Sequence, residues 1–472
     1  MTNKWMWCVF LGMYTGLWAQ KTTPELQSLT KKAAEYAAIS DQIWDWAEMG
    51  YQEVQSSALL AETLRKQGFK ITMGVAGIPT AFVAEYGESG PTLGILGEYD
   101  ALPGLSQQAI PMLASAGGVA GHGCGHHLFG TASVAAAIEV KNFLSRTGTP
   151  GKIKFFGCPA EEGGSGKVYM VREGLFNEVD VVLHWHPAST HSASAAASLA
   201  NKSAKFRFRG ISAHAAAAPD QGRSALDAVE AMNMMVNMMR EHIPDGSRIH
   251  YVITDGGKAP NVVPNFAEVY YYARDKDRQV VMNIFDRIVK AAEGAALGTE
   301  TQMDYEIIGG THELLPNLTL QRMVHEKLVQ VGGYSYSESE KEFAESIFKT
   351  LEKPLPISTA EKIVPFKEVG TPGGSTDVGD VSFAVPTVGM RIGTWAPGTP
   401  SHSWQAVAAG KTSIAHKGMM VAAKTITLSA IELFEKPKLI EQAKVEFIQR
   451  RGKNFTYTPL IGDRTPALDY RN

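Results

Sequence analysis

Short apolar runs alternate with longer helical patterns along the first 200 residues. The runs that fit buried strands are TLGILG (92–97), IKFFGC (153–158) and DVVLHW (180–185). The stretches that fit helices are 25–49, 56–67 and 131–144. Apolar runs of this length are typical of strands covered on both faces, and their alternation with helices predicts a mostly parallel central sheet flanked by helices. This part of the chain is therefore predicted to be α/β.

The order of predicted elements changes over residues 203–308, where it becomes the β-α-β-β-α-β order of a small ferredoxin-like domain. The α/β pattern resumes after about residue 310, so this α+β unit is predicted to be an insertion. The expected organisation is a catalytic domain at 21–200 and 310–436, an inserted domain at 201–309 and an extension at 437–472. The extension is charged and poorly periodic, which predicts a peripheral helix followed by an irregular end.

The first twenty residues carry Lys4 ahead of an apolar run that ends near Trp18 and is followed by the small residue Ala19. This pattern predicts a cleaved signal peptide at 1–20 and export to a periplasm or out of the cell. A short membrane anchor is the alternative, but the run is shorter than the roughly 20 apolar residues that a spanning helix needs. We therefore expect no stable membrane insertion.

Composition excludes one class of partner. The chain has 472 residues, with 45 basic and 48 acidic side chains and a formal net charge of -3. It has no basic tail or stripe that would match a phosphate backbone, so no nucleic-acid partner is expected. A chain of this length, 44% apolar, can bury a large core and is expected to divide into more than one domain.

Two glycine-rich segments carry the strongest candidate chemistry. GHGCGHHLFGTAS (121–133) holds Cys124, His126 and His127, and a thiolate and an imidazole two residues apart suit a borderline-soft ion such as zinc. Taken alone, this segment could also be a catalytic thiol or a structural turn. Export would permit a disulfide between Cys124 and Cys158, but the neighbouring histidines favour a metal ligand. GCPAEEGGSGK (157–167) sets Glu161 and Glu162 directly after a buried strand, where one carboxylate can bind metal while the other moves protons.

The remaining candidates are histidines and carboxylate-binding groups, and each of them alone is weak evidence for a functional site. VVLHWHPAS (181–189) puts His184 and His186 on one face of a strand, and GTPSHSWQAV (398–407) contributes His402. A lone histidine is more often structural than a ligand. The inserted domain adds His214, Asn261 and Arg274. Their simplest interpretation is a turn histidine and a strand-end salt bridge.

Together these segments resemble the two-metal aminoacylase and carboxypeptidase-type amidohydrolases, and within them the p-aminobenzoyl-glutamate hydrolase branch, from about residue 30 to 430. The matching segments are GEYDALPGLSQ (97–107), GCGHHLFG (123–130), PAEEGGSGK (159–167), WHP (185–187), SAHA (212–215), NVVP (261–264), STDVGDVS (375–382) and SHSWQAV (401–407). Several matches in one order are far more specific than any single motif.

The resemblance implies two divalent ions per subunit, zinc or manganese, and hydrolysis of a linear amide. The implied metal ligands are Cys124, His126, Glu162, His186 and His402. Glu161 would act as general base on a metal-bridging water, and Asp100 would orient His126 and fix its tautomer. His186 is preferred to His184 because it stands in the matching Trp-His-Pro. The family usually has Asp or Asn where this chain has His127, which can still donate a hydrogen bond behind the ligands.

The resemblance also assigns roles in the inserted domain, which would serve as a lid and dimerisation domain. His214 would reach the site of a partner subunit and stabilise the oxyanion, while Asn261 and Arg274 would hold the substrate carboxylate. This implies a homodimer that acts on small N-acyl amino acids or dipeptides. Two alternatives stay open: an aminopeptidase or carboxypeptidase for short peptides, and an inactive metal-containing binding protein. The intact Glu161 argues against the binder, which needs no base.

Overall fold

The computed structural model describes residues 23–195, 197–370 and 373–471. The predicted signal peptide at 1–20 lies outside the described residues. None of the helices in the described ranges is both long enough and apolar enough to cross a membrane. The helices are α1 (Pro24–Lys31), α2 (Ala33–Trp46), α3 (Val54–Lys66), α4 (His126–Thr147), α5 (Gly166–Arg172), α6 (Ala225–Met239), α7 (Arg278–Gly298), α8 (Leu318–Val331), α9 (Glu338–Phe348), α10 (Val378–Ala384), α11 (Trp404–Gly410), α12 (Ser413–Glu435) and α13 (Pro437–Arg451). The strands are β1 (Lys70–Met73), β2 (Phe82–Tyr86), β3 (Thr92–Glu98), β4 (Leu102–Pro103), β5 (Ala120–Gly121), β6 (Lys152–Cys158), β7 (Val181–Ala188), β8 (Ala200–Arg209), β9 (Arg248–Asp255), β10 (Phe266–Asp275), β11 (Gln302–Thr311) and β12 (Thr387–Gly393).

A six-stranded sheet in the order β1-β2-β6-β3-β7-β12 forms the centre of the catalytic part. β3 runs parallel to both β6 and β7, and β12 runs parallel to β7, whereas β1 and β2 are antiparallel additions at one edge. Every residue of β3 is buried, as expected for a central strand with helices on both faces. The prediction of a mostly parallel sheet flanked by helices is confirmed.

A second sheet, in the antiparallel order β11-β8-β10-β9, carries α6 and α7 on one face. Its elements follow the predicted order β-α-β-β-α-β. The sheet and its helices enclose a separate apolar core that includes Phe206, Met232 and Ile284. Burial alternates along β10, so Tyr270, Tyr272 and Arg274 lie on the face that the helices leave uncovered. This unit is hereafter called the lid domain.

Two helix boundaries differ from the sequence prediction. The helical pattern at 25–49 is two helices that meet at Lys32, whose backbone leaves the helical region. Helix α4 begins at His126, five residues before the predicted start at 131. It opens with two histidines, and Gly130 interrupts the apolar residues that follow, so hydrophobic periodicity did not reveal its first turn. As a result, two candidate histidines lie in the first turn of a buried helix.

The chain after α13 is irregular, and it packs into the catalytic part. Tyr457 Oη donates to Asp380 Oδ1 over 2.8 Å, and His312 Nε2 donates to the carbonyl of Thr458 over 3.0 Å. Further along, Leu460 is buried. Residues 452–471 are hereafter called the return segment, because they lead back towards the loop after β6.

Candidate active site

The candidate residues gather at the carboxyl ends of the parallel strands, where α/β proteins usually place their sites. Asp100 follows β3, Glu161 and Glu162 follow β6, and His186 lies near the end of β7. The turn before α4 passes close to β7 at Gly125, whose φ is 75° and where a Cβ would lie 2.8 Å from Pro187. Glycine is therefore required at the point where the segment of Cys124 and His126 meets the segment of His186.

The five predicted ligands converge on Cys124. Its Sγ lies 3.5 Å from His186 Nε2 and 3.3 Å from His402 Nε2. His402 Nε2 in turn lies 3.2 Å from Glu162 Oε1. The ligand atoms form two groups, each within 4.8 Å, namely Cys124 with His126 and His186, and Cys124 with Glu162 and His402. The two groups share the thiol, so the cluster offers two adjacent sets of three donors.

The donor atoms fit such ions in chemistry as well as in position. Two buried polar atoms of this cluster, His126 Nε2 and Glu98 Oε2, lie 3.1 Å apart but form no hydrogen bond with each other or with another group in the described part of the chain. Buried polar atoms are otherwise paired in nearly all proteins, because leaving one unpaired is costly. A thiolate, imidazoles and carboxylates together suit zinc and related divalent ions. The residues therefore fit the two-ion centre that the sequence predicts.

Asp100 holds two of the predicted ligands in place. Its Oδ1 lies 2.9 Å from His126 Nδ1, and its Oδ2 accepts the backbone N–H of Glu162 over 2.9 Å. Burial raises the pKa of Asp100, but His126 more than offsets this and brings it to about 2. The ionised carboxylate keeps a hydrogen on His126 Nδ1, so Nε2 faces the cluster. His186 is fixed in the same way, since its Nδ1 donates to the carbonyl of Pro187 over 2.7 Å.

The adjacent carboxyl groups of Glu161 and Glu162 have pKa values that are shifted in opposite directions. Burial, reinforced by the charge of Glu162, raises the pKa of Glu161 well above its usual range. Burial acts against Glu162 too, but its hydrogen bond with His402 outweighs that and lowers the pKa. Two carboxylates whose surroundings separate their pKa values are typical of an acid/base group beside a charged one. Glu161 Oε2 lies 4.0 Å from His126 Nε2, next to the donors.

Two positions near the site have strained backbones. Ala160, directly before Glu161, has φ 56°, and His402 has φ 57°. Left-handed conformations cost a residue with a side chain on the order of 1 kcal/mol and tend to occur where function requires a fixed direction. The conformation of Ala160 sets the direction of the next residue, Glu161, and that of His402 sets the direction of its own side chain.

His127 does not contact a predicted ligand. It is buried, and its Nε2 donates over 3.0 Å to the carbonyl of Gly410, the last residue of α11. Its ring packs on His122 with centroids 4.7 Å apart. The expected hydrogen bond therefore goes to the helix that follows His402 and not to the ligand set. His184 likewise stays outside the cluster and packs against β12 at Gly389.

The structure brings His214 and Asn261 together but separates Arg274 from both. His214 pairs with Val262 across a short ribbon beyond the far end of the lid sheet. Arg274 lies near the other end of β10, eight residues past Phe266, or roughly 26 Å along the strand. A single subunit therefore cannot hold one carboxylate with both Asn261 and Arg274. The sequence did not reveal this separation, because it does not show that most of the residues between Asn261 and Arg274 form a straight strand.

A buried ionic group beside the site was not predicted from the sequence. Lys167 Nζ lies 2.7 Å from Glu98 Oε1 and 2.7 Å from Asp377 Oδ1, with all three side chains buried. Glu98 Oε2 lies 3.1 Å from His126 Nε2, and Glu98, His126 and Glu161 form a third group of donor atoms within 4.8 Å. All three residues lie within motifs that carried the resemblance. The one signal in the sequence for this group was a charged residue, Glu98, at the end of an apolar strand.

The chain has relatives among known proteins and protein families. The family described as "Peptidase dimerisation domain" matches residues 200–300. The chain is 41% identical over 460 residues to a subunit of p-aminobenzoyl-glutamate hydrolase of Escherichia coli (strain K12), covering 92% of this chain and 96% of that protein. It is 29% identical over 446 residues to Xaa-Arg dipeptidase of Mus musculus, covering 90% of this chain and 93% of that protein. Among solved structures, a dinuclear metal-binding peptidase of the M20 family from Bacillus subtilis matches with a TM-score of 0.58 at 16% identity, covering 86% of this chain and 99% of that chain.

Together with these relatives, the mixed sheet, the lid domain and the donor cluster indicate a hydrolase of linear amides whose donor atoms suit divalent ions. Given its identity to the E. coli protein over nearly all of that protein's length, the chain belongs to the M20 family of peptidases and amidohydrolases, in the p-aminobenzoyl-glutamate hydrolase branch. The family and the enzyme class predicted from the motifs are confirmed. The likeness to the Bacillus subtilis structure shows the fold alone.

Proposed function

We propose that this protein hydrolyses the amide bond of small N-acyl amino acids with an aromatic, aminobenzoyl-like acyl group, using two divalent ions and Glu161 as general base. The observation that carries the proposal is the convergence of thiol, imidazole and carboxylate donors on Cys124, with Glu161 beside them. Thiolate and imidazole donors favour zinc, whereas the carboxylate also suits manganese, the other ion that the resemblance implies. Held by Cys124, His126, Glu162, His186 and His402, such ions supply Lewis acidity that acidifies water and polarises a carbonyl.

Glu161 is the proposed proton carrier. Its carboxylate would accept the proton of the attacking water and return it to the leaving nitrogen. Burial and the charge of Glu162 raise the pKa of Glu161, and a carboxyl shifted towards neutrality exchanges protons more effectively at physiological pH. Asp100 and the bond between Glu162 and His402 keep the neighbouring ligands oriented.

His214 is suited to stabilise an oxyanion in the site of another subunit. Its Nδ1 accepts the backbone N–H groups of Ala216 and Ala217, at 3.2 Å and 3.1 Å. The ring hydrogen is then on Nε2, and the side chain is exposed. An exposed N–H donor held by its own loop is a preorganised group for a developing negative charge.

The substrate carboxylate would be bound by Arg274 of one subunit and Asn261 of its partner, which removes the conflict between their positions. Arg274 stacks on Tyr272 at 5.1 Å, on the face of the lid sheet that the helices leave uncovered. A planar guanidinium matches both oxygens of a carboxylate. Tyr270 and Tyr272, with ring centroids 5.4 Å apart, offer an aromatic surface on the same face.

The proposed assembly is a dimer formed through the lid domain. β9 is one of the two edge strands of its sheet, and Val252 on it is 57% exposed. Met234 and Met238 on α6 are 62% and 65% exposed. An exposed edge with apolar neighbours is a common association surface. The partner is proposed to be a second copy, and a different subunit is the alternative, because the E. coli relative is itself named as one subunit of its enzyme. We further propose export, on the basis of the predicted signal peptide.

Hydrolysis of dipeptides is the second candidate, because the mouse relative is named a dipeptidase. The test measures kcat/KM of zinc-loaded and manganese-loaded protein on aminobenzoyl-glutamate, on benzoyl amino acids and on dipeptides with free and acylated amino groups. Acylated substrates should be preferred. A consistent preference for substrates with free α-amines would indicate a dipeptidase. If none of the substrates is cleaved in a metal-dependent way, the remaining alternative is the inactive metal-containing binding protein.

A further inference from the structure

The loop that carries Glu161 and Glu162, residues 159–165 between β6 and α5, has an unusual backbone. Ala160, Gly163 and Ser165 all have left-handed φ values, at 56°, 93° and 59°. Such a loop costs conformational energy and persists only where its surroundings hold it. The catalytic part supplies some of these contacts, since Glu53 Oε1 accepts the N–H of Ala160 over 2.8 Å and Tyr51 Oη donates to the carbonyl of Gly164 over 2.6 Å.

The central peptide group of this loop is held from elsewhere in the chain. The carbonyl oxygen of Glu162 accepts hydrogen bonds from Tyr470 Oη, at 3.0 Å, and from Arg471 Nη2, both in the return segment. The N–H of Glu162 is already bound to Asp100. Both backbone polar groups of Glu162 are therefore fixed, and its side chain alone remains for the donor cluster.

The contact from the return segment is built into the fold. Tyr470 packs edge-on against Tyr51 with ring centroids 5.5 Å apart, and a Cβ at Gly50 would collide with its hydroxyl. Upstream, Ile461 is buried in one apolar cluster with Tyr51 and Ala160. The carbonyl of Arg464 accepts Arg172 Nη1 over 2.7 Å.

We propose that Tyr470 and Arg471 are positioning residues for the catalytic loop. They hold the peptide group that follows Glu162 and thereby set the directions of the Glu161 and Glu162 side chains. The inference rests on the roles proposed above for these two glutamates. Because the proposed substrate contacts lie elsewhere, loss of the two donors should lower kcat with little effect on KM. It should also speed metal release, since Glu162 is a proposed ligand.

The test compares Tyr470→Phe, Arg471→Ala and the double variant with wild type. The double variant should lose about tenfold to a hundredfold in kcat, the scale expected when a catalytic group moves by a fraction of an ångström to an ångström. Its KM should stay within about twofold of wild type, which follows from unchanged substrate contacts. Arg471→Lys, which keeps a charged donor, should recover much of the loss. Tyr457→Phe is the matched control, because it removes one hydrogen bond of the same segment at Asp380, and it should leave kcat unchanged.

Metal release into a chelator, followed by absorbance, gives a second measurement that does not depend on the substrate class. The double variant should release metal faster than Tyr457→Phe and wild type. Equal release rates together with equal kcat would overturn the positioning role. A rise in KM alone, confined to acidic substrates, would overturn it too and make Arg471 a substrate contact. If no proposed substrate is cleaved, the release rates still decide, so failure of the proposed function is distinguishable from failure of this inference.

Discussion

Lys167→Met tests the buried ionic group behind the candidate site. Lys167 is fully buried in the first turn of α5, and its ammonium contacts Glu98 and Asp377. Burial opposes the charge, but Asp377 and Glu98 outweigh it and raise the pKa of Lys167 well above its usual range. The lysine is therefore a buried cation between two buried carboxylates. Methionine is also unbranched but is one heavy atom shorter, so the substitution keeps most of the apolar stem and removes the ammonium with its charge and hydrogen bonds.

The expected cost is large because two carboxylates would lose one counter-charge. Removing one partner from a buried ion pair costs about 3–5 kcal/mol, chiefly because the remaining charge is left uncompensated. Burial already raises the pKa of Glu98, so its carboxyl should take up a proton in the variant. We expect a loss near the lower end of that range at low pH and near the upper end at neutral pH.

Urea unfolding of the metal-free protein, followed by circular dichroism, measures the effect. Lys154→Met is the matched control, because Lys154 lies 3.2 Å from Glu85 and 3.5 Å from Glu178 near the surface, where such pairs contribute about 1 kcal/mol or less. The triple variant Lys167→Met, Glu98→Gln, Asp377→Asn should recover much of the loss, since no unpaired charge remains. If Lys167→Met costs no more than Lys154→Met, the reasoning is refuted.

Three further predictions concern the catalytic base, the thiols and pH. Glu161→Gln should keep its metals but lose at least about a hundredfold in turnover, because only proton transfer is removed; loss of metal, measured by elemental analysis, would instead put Glu161 among the ligands. Cys124 and Cys158, both unbridged in the structure, should react as two free thiols when denatured metal-free protein is alkylated and weighed, and a mass for a disulfide would contradict the metal-ligand role of Cys124. Burial raises the pKa of Asp380 from 3.8 to about 7, so the folded state keeps a proton that the unfolded chain releases and the free energy of unfolding should fall as pH rises between those values. The expected fall is on the order of 4 kcal/mol at 1.36 kcal/mol per pKa unit, and most of it should be absent in Asp380→Asn when urea unfolding is measured across this pH range. An unchanged dependence of the unfolding free energy on pH would show that Asp380 does not titrate there.

The central strands and the donor cluster were accessible from the sequence. β3, β6 and β7 are short, largely apolar runs with candidate polar residues near or just beyond their carboxyl ends, and parallel strands bring such ends to one edge of a sheet. Convergence of the five donors was implied by the family resemblance, which rests on several motifs in a fixed order. His186 was separated from His184 by its motif, and the structure places His186, not His184, beside Cys124.

Other features depend on contacts that no local pattern encodes. Lys167 and Asp377 are 210 residues apart, and a charged residue within apolar sequence does not reveal its partner. The wide separation of Asn261 and Arg274 follows from a strand that happens to run straight between them. The return segment lacks periodicity, because isolated side chains and not a continuous apolar face anchor it to the catalytic part.

The lid domain is joined to the catalytic part at one end of its sheet, so a small rotation there would become a large displacement at the other end. The chain enters at β8 and leaves at β11, and these strands are paired at that end, where Asn201 Nδ2 donates to Thr311 Oγ1 over 2.9 Å. Both connections therefore lie side by side and define one pivot. His214 lies beyond the opposite end of the sheet, at a radius of roughly 26 Å or more. A rotation of about 10° at the pivot would carry it roughly 5 Å, so a small change in packing around Asn201 and Thr311 would move a histidine that lies far from both.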